Sequence, residues 1–301
     1  MIILTRRRVY QKYMLIAAIV FLSVCFIAFF FQWVYTPLTS SYGGPDFHLV
    51  KGGTPATFRW SQICQGFQLD KWMTTMVNFP FPLLPLMPSI FSYNFLKEKA
   101  GYHVNAYTRE GNYKRFMWRS VAIHSLLSGA YFYATYLVFL VIGMVLSATV
   151  FYDNTIYGAS DRSLLFSAWS IYPNYYTKSF MADVFGKYFF NQFPIPFYLL
   201  FGFVATFLFG VVYGLFTISV SFLTDKKYLA VLVPFSYFLF ASLLFSMLVN
   251  QFLMLAPIST FGGLAFNGEP TYVSLVPLVA PLLFSLTVLW TRVNHGEKLG
   301  F

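Results

Sequence analysis

The chain is 301 residues long, 58% hydrophobic and only 10% charged, with a mean hydropathy of +0.63, whereas soluble domains carry about 25% charged residues. That balance excludes a water-soluble globular fold and predicts an all-α, polytopic integral membrane protein with no large soluble domain beside its spans. Two cysteines, Cys25 and Cys64, exclude a disulfide scaffold and a Cys-rich metal site.

Uncharged stretches run from Tyr13 to Pro45, Trp72 to Leu96, Ser120 to Tyr152, Tyr188 to Thr224, Tyr228 to Gly268 and Pro270 to Thr291. Each is long enough to cross a bilayer and apolar on all sides, as a lipid-facing helix must be. They predict six transmembrane helices, near residues 14–34, 73–95, 120–149, 195–223, 229–256 and 272–291, in one transmembrane domain spanning 1–301. At the N-terminus, Arg6 to Arg8 precede an apolar run as in a secretory signal. The run from Met14 to Val34 exceeds the usual core of about 7–15 residues and no small-x-small site closes it, so an uncleaved first helix is expected.

The outer loop at 36–70 carries the turn signals Gly43-Gly44-Pro45 and Gly52-Gly53. Helix two contains Pro80, Pro82, Pro85 and Pro88, which no regular helix accommodates with its hydrogen bonds intact, so it is expected to kink or unwind. Irregular backbone at membrane depth survives where protein buries it or where it lines a wet cavity. These prolines are therefore either packing kinks or candidates for a pathway or hinge. Helix three carries Ser125 with Gly129 and Gly143 with Ser147, and helix four carries Gly210 with Gly214, spacings that let helices approach closely within the subunit. The outer loop at 151–194 is dense in aromatics, among them Trp169, Tyr172, Tyr175, Tyr176, Phe180 and Phe185. An interfacial helix over 179–190 is expected there, with a substrate-contacting surface as the alternative.

Orientation follows from the basic residues. With the N-terminus inside, the cytoplasmic segments hold fourteen of the twenty, including Arg109, Lys114, Arg115, Arg119, Lys226, Lys227 and Arg292, and four of the ten acids, Glu98, Glu110, Asp225 and Glu297. The whole net charge of +10 then lies on the inner face. The positive-inside rule predicts both termini in the cytoplasm, and anionic inner-leaflet lipid accounts for the excess without nucleic acid.

Chemistry is sparse. Proton relays, cation sites and hydrolytic dyads need ionisable groups at membrane depth, yet the six spans hold no Asp, Glu, Lys or Arg well inside, and His124 is their only histidine. No HExxH or GxSxG motif occurs. No phosphate-cradling GxxxxGK[ST] loop occurs either, since Gly186-Lys187 is followed by Tyr188. The chain is expected to be neither an enzyme nor a bearer of catalytic, cofactor or metal sites, but a membrane subunit driven by another component.

The inner loop at 97–119 is the most distinctive segment. Lys97, Glu98 and Lys99 form a charged exit from the membrane and Gly101 breaks it. Tyr107-Thr108-Arg109-Glu110-Gly111 follows, then the basic and aromatic Tyr113-Lys114-Arg115-Phe116-Met117-Trp118-Arg119. On physical grounds alone this is a positive-inside loop with rings and snorkelling cations at headgroup depth.

The pattern Glu98-Lys99-x-Gly101, then Thr108-Arg109-x-Gly111-x-Tyr113-Lys114-x-Phe116, leading to Ser128-Gly129, resembles bacterial permease subunits of the type-2 ATP-binding-cassette exporter class. The specific likeness covers about 25 residues, and the six-helix plan extends it along the chain. The resemblance implies that the inner loop is a coupling helix docked on a separate cytoplasmic ATPase, which binds ATP and Mg. It also implies that two membrane subunits, identical or different, pair with two ATPases in the bacterial plasma membrane. The interface would comprise Glu98, Gly101, Tyr107, Thr108, Arg109, Glu110, Gly111, Tyr113, Lys114 and Arg115. One departure is that exporters of this class often carry outer re-entrant helices before the last span, whereas here the outer mass precedes helices two and four. The expected function is export of an amphipathic cargo, to which the 22% aromatic content is suited. The alternative is a non-transporting binding, immunity or sensor protein acting through its outer loops.

Overall fold

The structure is a computed structural model that describes residues 2–39, 63, 66–67, 69–78, 81–99, 113–149, 199–200, 202–224, 226–247, 255–261 and 275–295. Every regular element among them is helical. Helix α1, Ile2–Phe29, continues through a π-helical turn, Phe30–Tyr35, into a last turn, Thr36–Thr39. The Thr36 hydroxyl donates to Phe31 O at 2.7 Å, a five-residue reach that matches the π register. Helices α2, Leu69–Asn78, and α3, Leu86–Lys99, flank a 3-10 turn at Phe81–Leu83. The long helix α4 is Tyr113–Thr149. A second π-helical turn, Phe203–Leu208, leads into α5, Phe209–Ser221. Then follow α6, Lys227–Met247, a 3-10 turn at Pro257–Phe261, and α7, Val276–His295.

Five of these stretches are long and apolar enough to cross a membrane: Lys12–Thr39, Lys114–Leu146, Phe203–Ser221, Tyr228–Phe245 and Val276–Asn294. The protein is thus a helical, membrane-embedded chain. The stretch at 73–95 is not a single helix. Prolines lack the N–H that a helix needs and clash with the preceding turn, and the chain divides there into α2 and α3. The segment at 97–119 is also partly helical, since residues 97–99 belong to α3. With no Pro or Gly after Gly111 to stop it, α4 already runs from Tyr113, so Tyr113–Arg119 forms its first turns.

Helix α5 is the axis. Every residue from Val212 to Ser221 is buried, and α3, α4, α6 and α7 pack around it. By contrast α1 turns Leu15, Ile16, Ile19 and Val20 outward and buries Phe21, Cys25, Ala28 and Phe29, the four-residue rhythm of a helix with one protein-facing side. The tightest crossing is α4 on α5. A Cβ on Gly210 would lie 2.8 Å from Gly129 Cα, and one on Gly129 would lie 2.6 Å from Phe207 O. Backbone meets backbone there, and no side chain fits between.

Trp72 fixes α2 to α4. Fully buried, it stacks on Phe139 with ring centroids 4.7 Å apart, and its Nε1 donates to Phe139 O at 2.9 Å. Gly143 leaves the space that the indole fills, and Phe29 of α1 closes over it at 4.8 Å. Beside α5, Phe132, Phe209, Tyr213, Phe238 and Phe261 form a buried aromatic core in which Phe209 stacks on Tyr213 at 4.1 Å.

Because a Cβ on Gly210 meets backbone, Gly210→Ala is expected to lower stability by about 1–3 kcal/mol. Ala122→Leu, on the exposed side of α4, should leave stability unchanged. Thermal unfolding of both variants in detergent checks the contrast.

Candidate functional site at the broken helix

One face of α3 carries Pro88, Ser89 and Ser92, with Pro85 in the turn just before it, all buried, at the three- and four-residue steps that align side chains along a helix. Opposite stand Ser128 of α4 and Gly214 and Thr217 of α5. The Ser128 hydroxyl donates to Pro88 O at 2.9 Å. Ser89 Oγ donates to Pro85 O at 2.8 Å and lies 2.9 Å from Thr217 Oγ1. The single Thr217 proton has a second acceptor in reach, Tyr213 O of its own helix, also at 2.9 Å. Gly214 makes room for the junction, since a Cβ there would sit 2.6 Å from Ser128 Oγ and 2.9 Å from Ser92 Oγ.

The other side of α5 repeats the arrangement. Ser219 donates to Phe216 O at 2.8 Å and lies 3.4 Å from Ser285 Oγ of α7, which itself donates to Pro281 O at 2.6 Å. Helix α5 therefore meets both neighbours through paired hydroxyls that also reach carbonyls of their own helices. Three buried oxygens, Ser92 Oγ, Tyr213 Oη and Thr260 Oγ1, have no hydrogen-bond partner among the described residues. Such a group costs about 1–3 kcal/mol.

Chemically the junction is a set of neutral donors and acceptors. Among the described residues no three of His, Cys, Asp and Glu gather as metal ligands. His124 places Nδ1 2.8 Å from Ser120 O and meets the edge of Phe95 at 5.3 Å, near the start of α4.

Of the residues that the sequence singles out, Pro82 is half-buried in the 3-10 turn, and Pro85 and Pro88 are buried at the head of α3. Pro80 lies outside the described residues. Gly129, Gly210 and Gly214 are brought together at the α3–α4–α5 crossing. Gly143 instead accommodates Trp72. Between α3 and α4, Gly101, Tyr107, Thr108, Arg109, Glu110 and Gly111 lie outside the described residues. Glu98 belongs to the last turn of α3 and Tyr113 opens α4, though their side chains are outside the description. Lys114 is half-buried and Arg115 exposed, on the first turn of α4. The loops expected on the outer side, 36–70 and 151–194, fall largely outside the described residues.

Helices α3 and α4 are antiparallel, since Phe95 faces His124 at 5.3 Å while Phe91 faces Tyr131 at 5.7 Å. The end of α3 and the start of α4 therefore lie at the same end of the bundle and bracket residues 100–112. Sequence reasoning did not single out Ser89, Ser92 or Thr217. The available signal was a serine four residues after a proline, present at Pro85 with Ser89 and at Pro88 with Ser92.

No protein family, curated protein or solved structure matches the chain.

Because Ser89 keeps Pro85 O and Tyr213 O keeps its helical N–H, Thr217→Val should lower stability by only about 0.6 kcal/mol, the mean for hydroxyl bonds between membrane helices. Thr217→Ala, which also opens a void, should lower it further. Denaturant titration in detergent compares the two.

Proposed function

We propose that the chain is the membrane-spanning permease subunit of an ABC-type exporter, moving an amphipathic cargo with energy from ATP hydrolysed by a separate subunit. In this reading α2 and α3 together form a broken second span, giving six spans with both termini in the cytoplasm of a bacterium and the protein in its plasma membrane. The observation that carries it is the bracketing of residues 100–112 by α3 and α4, because that segment holds Thr108, Arg109, Glu110 and Gly111 of the exporter-like pattern.

Such a segment is well placed to pass a push from a docked ATPase into the bundle. Helix α3 leads from it to the hydroxyl junction on α5, and α4 leads from it to the glycine crossing. Arg109, Lys114 and Arg115 supply charge-assisted contacts to the ATPase surface, and Tyr107 and Tyr113 supply rings for its groove. ATP and Mg belong to that partner. A second membrane subunit, of the same or another chain, and surrounding lipid complete the assembly, and nucleic acid has no part in it. ATP-driven closure of the ATPases would shift the helices between alternative arrangements.

Two measurements test this. Purification of the tagged chain from its native membrane in mild detergent should bring down a stoichiometric Walker-bearing ATPase with ATPase activity in the eluate. Reversing Arg109, Lys114 and Arg115 to Glu should reduce the recovered partner roughly tenfold or more, as expected when close charge pairs are broken, while the chain still purifies folded. A well-folded chain that brings down no ATPase would move the assignment to a binding protein acting through its outer loops. Orientation is tested by thiol labelling in a Cys25→Ala/Cys64→Ala background. Ser163→Cys should react with an impermeant reagent in intact cells, and Asn105→Cys only after the membrane is opened.

A further inference from the structure

Three described helical serines follow a proline by four residues: Ser89 after Pro85, which lies in the turn just before α3, Ser92 after Pro88, and Ser285 after Pro281. A helical serine at this spacing can turn its hydroxyl back onto the carbonyl one turn earlier. Two of the three do so, Ser89 onto Pro85 O and Ser285 onto Pro281 O. The third is displaced. Pro88 O takes the hydroxyl of Ser128 from α4 at 2.9 Å, and Ser92 Oγ, with no exposed surface, has no partner among the described residues.

A carbonyl oxygen has two lone pairs. The helical N–H of Ser92 occupies one of those on Pro88 O, which leaves room for one hydroxyl, and Ser92 and Ser128 compete for it. We propose that Pro88 O is a two-position latch: Ser128 holds it while α3 is seated against α4 and α5, and Ser92 takes it when α3 swings out of that seat.

The rest of the junction allows the exchange. The helix is interrupted between Asn78 and Leu86, so no continuous ladder of helical hydrogen bonds ties α3 to α2. When Ser89 moves away, Thr217 keeps Tyr213 O within 2.9 Å and Ser89 keeps Pro85 O within 2.8 Å. Ser128, freed from Pro88, stands one turn after the carbonyl of His124 and can bond back to it. Every hydroxyl then has an acceptor in the swung position, and the group left over in the seated one is Ser92. This inference goes beyond the transport reading and stands apart from it, because its readout is the position of α3.

The test uses the full chain in lipid nanodiscs with 4-fluorophenylalanine in place of Phe91, whose ring faces Tyr131 of α4 at 5.7 Å. Its 19F resonance reports whether α3 is seated. A disulfide-forming pair, Ser89→Cys with Thr217→Cys, locks α3 on α5 and assigns the seated signal. Ser128→Ala should raise the swung-to-seated ratio roughly fivefold and Ser92→Ala should lower it by a similar factor, as expected for one hydrogen bond. The double variant should return the ratio near its starting value. Should Ser128→Ala fail to fold, Ser92→Ala alone must still enrich the signal of the locked chain. An unchanged 19F signal in Ser92→Ala, a shift of both variants in one direction, or a double variant that does not restore the ratio would each overturn the latch.

Discussion

The contact of two helix backbones at Gly129 and Gly210 sets the spacing on which the rest of the bundle depends. Lipid chains are as apolar as leucine, so membrane helices gain little from hiding apolar surface from one another and rely on close packing and hydrogen bonds. With a Cβ excluded from that crossing, α4 and α5 approach closely enough for Ser128 to stand beside Gly214. That position brings Ser128 within 2.9 Å of Pro88 O, and so seats α3 as well. A wider crossing would separate these atoms beyond hydrogen-bond reach. Trp72 plays the same part at the other end of α4, its indole occupying the space that Gly143 leaves.

How much of this was legible in the sequence depends on the kind of signal each residue carries. Composition and uncharged runs reveal membrane helices, because lipid tolerates little else. The prolines at 80, 82, 85 and 88 reveal a break, because a missing N–H cannot be disguised by its surroundings. Gly210 and Gly214 reveal a close approach through their spacing but not its partner, since Gly129 and Ser128 are distant in sequence. The start of α4 at Tyr113 was hidden by its charges: basic and aromatic residues suit a headgroup-level loop and a headgroup-level helix equally. The hydroxyl junction was hidden for a different reason. A serine or threonine in an apolar helix can satisfy itself on its own backbone, so Ser89, Ser92 and Thr217 do not disclose which of them meets a neighbour.

The polar interior built in this way differs from one built on charges. Buried ion pairs hold helices in register strongly, and breaking one leaves a costly unpaired charge. Neutral hydroxyl bonds between membrane helices average about 0.6 kcal/mol, close to thermal energy. Thr217 and Ser219 each have an acceptor on the neighbouring helix and another on their own. A bundle joined this way keeps its contacts specific without making them rigid, and can be biased by a modest force applied at its edge.

The length of α4 gives that force a direction. Its apolar stretch Lys114–Leu146 has 33 residues, about 50 Å at 1.5 Å per residue, against a hydrocarbon core of about 30 Å. The 19 residues of Phe203–Ser221 span about 29 Å and match the core. So α4 either leans steeply or stands clear of the lipid, and Gly129, its contact with α5, lies at the middle of the stretch. A stiff beam held at its centre behaves as a seesaw. Displacing the Tyr113 end of α4 by a given distance would move its Thr149 end by about as much in the opposite sense, carrying Gly143 and the docked Trp72 with it.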